Sequence, residues 1–215
     1  IKSVLKNTSE TENFRLHIHQ PILDSLTVFI LDEKENIVQS TFFGEVLDFD
    51  HREYKTPYFI DDISIPKGSS QTLLLRVVSK EQMVLPVYVA TVQSSAELSR
   101  TYNLLFGAYF GLIAVMALYN LFIYFTVRDK SYLLYVLYIL AVGSTQAVLE
   151  GFFHQYLWPE NAWFAARSVY LFTALVSTTS VLFLQDFLKT AIYAPRIDKF
   201  ARYIYIFFGI VSIAA

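Results

Sequence analysis

An uncharged run of 27 residues, Thr101 to Val127, is the feature that most constrains this chain. At about 1.5 Å per residue, a helix of that length exceeds a bilayer core of roughly 30 Å, so the run can cross a membrane with some tilt. Residues 1–100 hold 24 of the 36 charged side chains, and residues 101–215 hold the other 12. The sequence therefore predicts a soluble first half and a membrane-embedded second half.

Three further apolar runs follow the first one, each bounded by charged or interfacial aromatic residues. We expect spans at about 102–127, 131–149, 161–185 and 203–215, with the fourth incomplete. Because the last run stops inside a span and Ile1 is not a methionine, we expect the chain to be a fragment, incomplete at both ends. The predicted domains are a soluble domain at 1–98 and a transmembrane helical domain at 99–215.

The short connections predict the orientation, because Lys and Arg accumulate on the cytoplasmic side of a membrane protein. The first connection, Arg128–Lys130, and the third, Asp186–Arg202, carry basic residues, whereas the second, Glu150–Asn161, carries none. Connections one and three are therefore predicted inside and connection two outside. This places residues 1 to about 100 outside as well, in a multi-pass membrane protein.

The first half of the chain has the pattern of short β-strands. Apolar and polar residues alternate in Phe14–His19, and Leu26–Leu31 and Ile37–Phe43 flank a polar connection of hairpin length. Leu73–Val78 and Val84–Thr91 repeat that pattern and predict a second hairpin. The fold class predicted is mixed: an all-β, jelly-roll-like sandwich followed by an α-helical transmembrane bundle.

Several short motifs of this sequence form a recognisable combination. The most specific ones lie in the first span and its loop: Phe106–Leu112, Ala117–Phe122 and Arg128–Tyr135. Gly151 with Gln155–Pro159 continues them, and weaker motifs lie in the outer half: Gly44, Asp50–Arg52, Pro57–Phe59, Leu73–Val77 and Leu85–Val87.

These motifs resemble those of the bacterial seven-transmembrane receptors with diverse intracellular signalling modules, in the branch with the type 2 extracellular domain. The resemblance implies an outer jelly-roll sensor, seven spans and a cytoplasmic diguanylate cyclase or histidine kinase. It also implies a location in the bacterial inner membrane.

Three residues of the first span are candidates for helix packing. Gly107 and Gly111 stand four apart on one face, an arrangement that lets helix backbones approach closely. Packing inside the bundle and a homodimer seam that transmits signal are both open, and packing is favoured. Asn120 lies deeper in the span, where an unpaired amide is costly, so we expect it to bond to a neighbouring helix.

Two groups of residues are candidates for ligand binding. Glu150, His154 and Arg167 are predicted near the outer membrane face, where they could form a pocket, although simple anchoring at the interface explains Arg167 as well. Arg52 and Tyr54 could bind a carboxylate or a sugar, because Arg forks onto anions and aromatic faces stack on sugar rings. The ligand is therefore expected to be small, with carbohydrate as one candidate, or else a partner protein.

Two other polar groups are predicted to have no ligand. Asp48, Asp50, His51 and Glu53 match no calcium-loop spacing and are interpreted as a solvated loop. His17 and His19 share one strand face without a third ligand nearby, so we expect an exposed polar face rather than a zinc site. No metal and no cofactor are predicted.

The composition restricts the remaining functional classes. The chain has no cysteine and a formal net charge of -2 without a basic stripe, which argues against thiolate metal sites and nucleic acid. No catalytic or nucleotide-binding motif supports an enzyme in this segment. We interpret the chain as the sensory half of a membrane receptor with the lipid bilayer as a partner. The alternatives are a transporter or channel component and a membrane-anchored carbohydrate-binding module.

Overall fold

The computed structural model describes residues 1–79 and 84–214, with only the backbone given for 211–214. Its strands are β1 Lys2–Lys6, β2 Asn13–Ile18, β3 Ser25–Leu31, β4 Ile37–Phe43, β5 Phe59–Ser64, β6 Ser70–Val78 and β7 Val87–Thr91. Its helices are α1 Val92–Val127, α2 Lys130–Leu149, α3 Phe152–Tyr156, α4 Ala162–Phe187, α5 Thr190–Tyr193 and α6 Pro195–Ala214. A short 3-10 helix, Phe49–His51, lies between β4 and β5. The predicted order of a β domain followed by helices is confirmed.

The strands form two antiparallel sheets. The four-stranded sheet has the order β1-β6-β3-β4, and the three-stranded sheet has the order β5-β2-β7. Both sheets contribute side chains to one apolar core: Leu16, Ile18, Leu23, Leu26, Val28, Ile30, Phe43, Phe59, Ile63, Ile65, Leu73 and Leu75. This is the sandwich that the alternating sequence pattern predicts, since one face of each strand is apolar.

The first predicted hairpin is confirmed. β3 and β4 pair antiparallel from Leu26 opposite Phe43 to Leu31 opposite Ile37. In the connection, one carboxylate oxygen of Asp32 accepts hydrogen bonds from the backbone N–H groups of Lys34 and Asn36, both at 2.8 Å. This Asx-type turn explains why a polar connection of that composition closes the hairpin.

The second predicted hairpin is wrong. β6 pairs with β1 and β3 in the four-stranded sheet, whereas β7 pairs with β2 in the three-stranded sheet. Alternation predicts a strand with one buried face, but it does not identify the neighbour, because any antiparallel partner satisfies the same pattern. Residues 80–83 of this connection lie outside the described residues.

The chain divides into two compact units, and the division does not coincide with residue 98. One unit comprises Ile1–Tyr102 and Leu149–Ala166, and the other comprises Asn103–Val148 and Arg167–Ala215. The β domain, the start of α1 and the segment around α3 therefore form one unit, the outer unit. The predicted limits 1–98 and 99–215 separate residues outside the membrane from residues within it. The division into compact units depends on contacts and does not test where the membrane lies, so these limits stay a prediction.

In the helical unit, α2 contacts both α1 and α4. Ala117 of α1 packs with Val136 and Ile139 of α2. The Thr145 hydroxyl of α2 donates to the backbone carbonyl of Phe172 in α4 at 3.1 Å. α1, α2 and α4 are each long and apolar enough to cross a membrane, whereas α6, which contains the predicted fourth span, is not among the described helices that meet this criterion.

Candidate functional site

His17 of β2 and His19, which directly follows the strand, lie on the face opposite the apolar core. His17 is 0% exposed, although Leu16 and Ile18 on the other face are also fully buried. The expectation that His17 and His19 form an exposed polar face is therefore wrong. The outward face of the three-stranded sheet is covered, so both faces of β2 are buried at this end.

Aromatic rings cover the two histidines from neighbouring elements. His17 stacks on Tyr88 of β7 with ring centroids 4.9 Å apart, and His19 stacks on Tyr58 at 3.9 Å. The Tyr88 hydroxyl also hydrogen-bonds to His19 Nε2. Tyr58 is fully buried and stands just before β5, so the three strands of this sheet meet in one aromatic group.

The first turns of α1 complete this group. Ser95 Oγ lies 2.8 Å from His17 Nε2, and the Tyr58 hydroxyl donates to Ser99 Oγ at 2.7 Å. The ring of Tyr102 contacts His19 edge-on, with centroids 5.2 Å apart. Positions 95, 99 and 102 recur at helical spacing, so a single face of α1 provides all three contacts.

The segment between α2 and α4 contributes Glu150 to this group of side chains. The Tyr102 hydroxyl donates to a carboxylate oxygen of Glu150, and Phe152 stacks near the same ring. Gly151 adopts φ +76°, and a Cβ there would lie 2.8 Å from Pro21 Cβ and 3.0 Å from the Pro57 carbonyl oxygen. Only glycine satisfies both the left-handed conformation and this close approach.

We name this group the juxtamembrane cluster. Its members are His17, His19, Tyr58, Tyr88, Ser95, Ser99, Tyr102 and Glu150, all in the outer unit. Within it, elements from the sheet, α1 and the α2–α4 connection are linked by hydrogen bonds. A displacement of any one of them must break or move bonds to the others.

Burial keeps the cluster histidines uncharged at neutral pH. Burial, followed by the nearby Arg15 charge, lowers the pKa of His17, and burial, followed by His17, lowers the pKa of His19 to about 4. Burial also raises the pKa of Tyr88 to about 12. His17, His19 and Tyr88 are therefore neutral members of the cluster, because their charged forms would lose their hydration.

A second polar region lies at the edge of the sandwich, around Arg52. Arg52 is buried, and its Nη1 donates to the carbonyl oxygens of Pro57 at 2.6 Å and Thr56 at 3.2 Å. Its guanidinium lies over the rings of Phe49 and Phe59, at 4.7 and 4.5 Å from their centroids. The structure thus places this predicted ligand-binding residue where it also holds the segment before β5.

Tyr54, the other predicted ligand residue of this segment, contacts the outward side of β5. Its hydroxyl donates to Asp62 Oδ2 at 2.5 Å, and the Arg15 guanidinium lies 4.7 Å from its ring centroid. Arg15 Nε also pairs with Asp62 Oδ1 at 3.1 Å. These contacts occupy the polar atom of Tyr54 without bringing it to Arg52.

A cavity of about 160 Å³ adjoins Arg52 inside the outer unit, and we name it the Asp61 cavity. Its lining residues are Thr41, Phe42, Phe43, Gly44, Leu47, His51, Arg52, Glu53, Phe59 and Asp61. Asp61 is buried, and its Oδ1 accepts hydrogen bonds from Thr41 Oγ1 and Gln39 Nε2, both at 3.2 Å. Its Oδ2 has no hydrogen-bond partner among the described residues.

Sequence reasoning missed Asp61, although a signal was present. In Phe59–Ser64 the residues Phe59, Asp61 and Ile63 share one strand face, and the other two face the core. A carboxylate on the core face of a strand is unusual and indicates a functional or strained position. The tyrosines and serines of the juxtamembrane cluster carried no such local signal.

The three predicted residues near the outer membrane face fall in different surroundings. Glu150 belongs to the juxtamembrane cluster. His154 is buried beside Phe49, with ring centroids 5.7 Å apart, and burial followed by the Arg52 charge lowers its pKa to about 4. Arg167 belongs to the helical unit. The binding roles of these residues, like those of Arg52 and Tyr54, stay predictions.

The predicted packing residues of α1 have open surroundings. A Cβ at Gly107 or Gly111 would meet nothing within 4 Å in the described chain. The close approach is instead at Gly143 of α2, where a Cβ would lie 2.9 Å from Ile113 Cδ1. Asn120 Nδ2 donates to the Met116 carbonyl of its own helix at 2.8 Å, rather than to a neighbouring helix as expected. A packing role for the three residues stays a prediction.

The described residues thus combine a β-sandwich with three helices long and apolar enough to cross a membrane, and the sheet is hydrogen-bonded to the beginning of the first of these helices. A family model described as 7TM diverse intracellular signalling matches residues 102–215, and one described as 7TMR-DISM extracellular 2 matches residues 1–91. The chain belongs to this family of seven-transmembrane receptors with diverse intracellular signalling modules, as its motifs predict. The matched domains are sensory rather than catalytic and imply a multi-pass membrane protein with an extracellular N-terminal domain. Comparison with curated proteins and with solved structures gave no match.

Proposed function

We propose that the outer β domain binds a small ligand and that the juxtamembrane cluster passes the resulting shift to the transmembrane helices. The observation that carries this proposal is the cluster itself, in which β2, β7, α1 and Glu150 are linked side chain to side chain. A ligand shifts a two-state protein only through different contacts with the two states. The cluster is the part of the outer unit whose contacts change when the strands move against α1.

The chain path supports a direct relay. β7 ends at Thr91 and α1 begins at Val92, so no linker absorbs a displacement of the strand. Thr91 Oγ1 accepts a hydrogen bond from the Ser94 backbone N–H at 3.3 Å, which fixes the helix start against the strand end. Glu150 directly follows α2, so the same cluster also contacts the end of a second span. A shift in the sheet would therefore bias two helices together.

The relay would end at a cytoplasmic output module, a diguanylate cyclase or a histidine kinase, in a bacterial inner membrane. Support comes from the family and from the basic first and third connections. The ligand would be small, with carbohydrate as the candidate that the family resemblance suggests. Arg52, Tyr54, Glu150, His154 and Arg167 are the proposed ligand contacts.

The topology can be tested because the chain has no cysteine. We expect a single cysteine at Glu160 to react with a membrane-impermeant maleimide in intact spheroplasts, and one at Lys130 to react only after lysis. Labelling of both positions, or of Lys130 alone, in intact spheroplasts would contradict the proposed orientation.

The relay can be tested by removing one hydroxyl from the cluster. Tyr102→Phe deletes the bond to Glu150 and keeps the ring, whereas Tyr109→Phe removes a hydroxyl from the same helix outside the cluster. In the full-length receptor we expect Tyr102→Phe to change output about tenfold, with membrane abundance unchanged, because a charge-assisted hydrogen bond contributes about 1.5–3 kcal/mol. Output is read as cellular cyclic diguanylate or as autophosphorylation. Equal output from both variants would contradict a relay through Tyr102.

Arg167 offers a separate test of the proposed ligand contacts. Arg167→Ala should reduce signalling more than membrane abundance if the guanidinium contacts a ligand. Equal losses in both would identify the side chain as an interfacial anchor.

A further inference from the structure

We infer that the Asp61 cavity is a binding site for a small organic ammonium ion, held by the Asp61 carboxylate. The inference goes beyond the proposed function, because Arg52 is the one proposed ligand contact among the residues that line this cavity, and it names a further ligand class for the outer β domain. It rests on four features of the described residues: the burial of Asp61, its open acceptor, the charges around it and the aromatic lining of the cavity.

Asp61 is buried, and no cation among the described residues forms an ion pair with it. Its residue exposure is 5%, and its hydrogen bonds come from the neutral donors of Thr41 and Gln39. Burial, together with the negative charges of Asp62 and Glu53, raises its pKa to about 6, although the two hydrogen bonds oppose this. A carboxylate in such a position is stabilised most by a positive charge that also donates a hydrogen bond.

The open acceptor of Asp61 selects for a donor. Oδ2 is buried and has no hydrogen-bond partner among the described residues. A buried acceptor without a partner is costly, and a donor-bearing ligand entering the cavity removes that cost. An ammonium group carries three such donors and the missing charge, whereas a hydroxyl carries one donor and no charge.

The Arg52 guanidinium of the lining is held by other groups, although its buried Nε has no hydrogen-bond partner among the described residues. The Arg52 guanidinium donates to the Pro57 and Thr56 carbonyl oxygens and lies between the rings of Phe49 and Phe59. The electrostatic attraction of Glu45 acts on the same guanidinium. Arg52 therefore forms a wall of the cavity and leaves the charge of Asp61 uncompensated.

The size and the lining set the limits of the ligand. A volume of about 160 Å³ holds about five waters, so the cavity accepts a molecule of only a few heavy atoms. Three phenylalanines, Phe42, Phe43 and Phe59, are among the residues that line it, and the rings of Phe43 and Phe59 lie with centroids 5.5 Å apart. Aromatic faces attract cations, and their apolar surface suits the short carbon chain of a small amine.

The test uses two probes of matched size on the 215-residue chain in detergent micelles. Ethanolamine, which is protonated at neutral pH, and ethylene glycol have the same number of heavy atoms and differ in one charged group. Titration followed by ligand-observed NMR should show ethanolamine binding about tenfold more tightly or better, since a hydrogen bond to a charged group contributes about 1.5–3 kcal/mol. Equal binding of the two probes, or no saturable binding of ethanolamine, would overturn the inference, and neither result needs a variant.

Two asparagine variants then locate the site. Asp61→Asn should weaken ethanolamine binding about tenfold or more. Asp62→Asn removes the same charge from the adjacent exposed residue of β5 and should change binding by less than about twofold. Loss of binding in Asp62→Asn with retention in Asp61→Asn would place the site on the outward face and overturn the inference. The relay through Tyr102 is measured separately by receptor output, so the two proposals can fail independently.

Discussion

The juxtamembrane cluster and the Asp61 cavity are both buried polar regions of the outer unit, but their hydrogen bonding differs. In the cluster, His17, His19, Tyr58 and Tyr102 each have a side-chain partner from another element. In the cavity, Oδ2 of the Asp61 carboxylate has none among the described residues, and in the cluster Nδ1 of His17 also has none. The two open atoms differ in chemistry, because the one in the cavity belongs to an acidic side chain, whereas the one in the cluster belongs to an imidazole whose other nitrogen is bonded to Ser95. The cluster therefore joins elements of the protein to one another, whereas the carboxylate of the cavity is suited to a cationic group that comes from outside.

The largest expected effect comes from emptying the centre of the cluster. Tyr58→Ala removes a fully buried ring that stacks on His19, and we expect it to destabilise the outer unit by about 3–5 kcal/mol. Tyr54→Ala is the matched control, because that half-buried ring lies outside the cluster, and it should cost about 1 kcal/mol. Thermal unfolding of both variants in detergent measures the difference. Equal losses of stability in the two variants would show that the cluster contacts of Tyr58 add little to the stability of the outer unit.

A smaller effect is expected at the glycine that closes the α2–α4 connection onto the sheet. Gly151→Ala combines left-handed strain with contacts of 2.8 Å to Pro21 and 3.0 Å to Pro57, so it should cost about 2–4 kcal/mol.

Gly68→Ala provides the control for this substitution. Gly68 has φ +74° but nothing within 4 Å of a Cβ, so only the strain of about 1 kcal/mol applies. Unfolding midpoints for the two alanine variants separate strain from crowding. A Gly151→Ala protein as stable as Gly68→Ala would contradict the tight closure described for the connection.

The pH dependence of stability should have opposite signs in the two regions. The pKa of His19 is lowered to about 4, so its contribution to stability is present above about 6.5 and is lost as pH falls from about 6.5 to 4. The pKa of Asp61 is raised to about 6, so its penalty is present above pH 6 and is relieved as pH falls towards about 3.9. Lowering the pH from 7 to 5 therefore reduces the contribution of His19 to the stability of the folded protein and relieves the penalty at Asp61.

Melting temperatures at pH 7 and pH 5 test these signs. Asp61→Asn should raise the melting temperature at pH 7 and steepen its decrease towards pH 5, because the relief of the carboxylate penalty is gone. His19→Gln should make the decrease shallower. If the melting temperatures of both variants change with pH as those of the unsubstituted protein do, groups other than His19 and Asp61 determine the pH dependence of stability.

The smallest expected effects concern the helices. Gly143→Ala would bring a Cβ to 2.9 Å from the end of Ile113, which can shift, so we expect a loss of about 1 kcal/mol. Gly107→Ala meets nothing within 4 Å in the described chain and should be neutral for this part of the bundle. Comparing both variants in the full-length receptor is informative, because a large loss in Gly107→Ala would indicate a further helix or a second copy on that face.

The residues that the sequence identified correctly share a local signal. The uncharged run that includes Gly107 predicts a span from its length, and the alternation around Leu16 predicts a strand with a buried face. The polar turn at Asp32 predicts the first hairpin, because its side chain closes the loop within a few residues. Hydrophobic length, strand period and turn chemistry act over short distances, so one sequence is enough to predict them.

The partners of those elements are set over long distances. β6 and β7 are adjacent in sequence but pair in different sheets, and His17 is buried because Ser95 and Tyr88, far along the chain, cover its face. Arg52 was predicted to bind a ligand by its type, whereas its neighbour across the cavity, Asp61, was not recognised.

The sequence by itself therefore determined that this chain joins an outer β domain to membrane-spanning helices and which family it belongs to. Only the tertiary structure decided that histidines, tyrosines and serines from four elements form one cluster and that Asp61 lines a cavity. The physical reason is that periodicity defines which face of an element is buried, whereas the element that covers this face depends on how the whole chain packs.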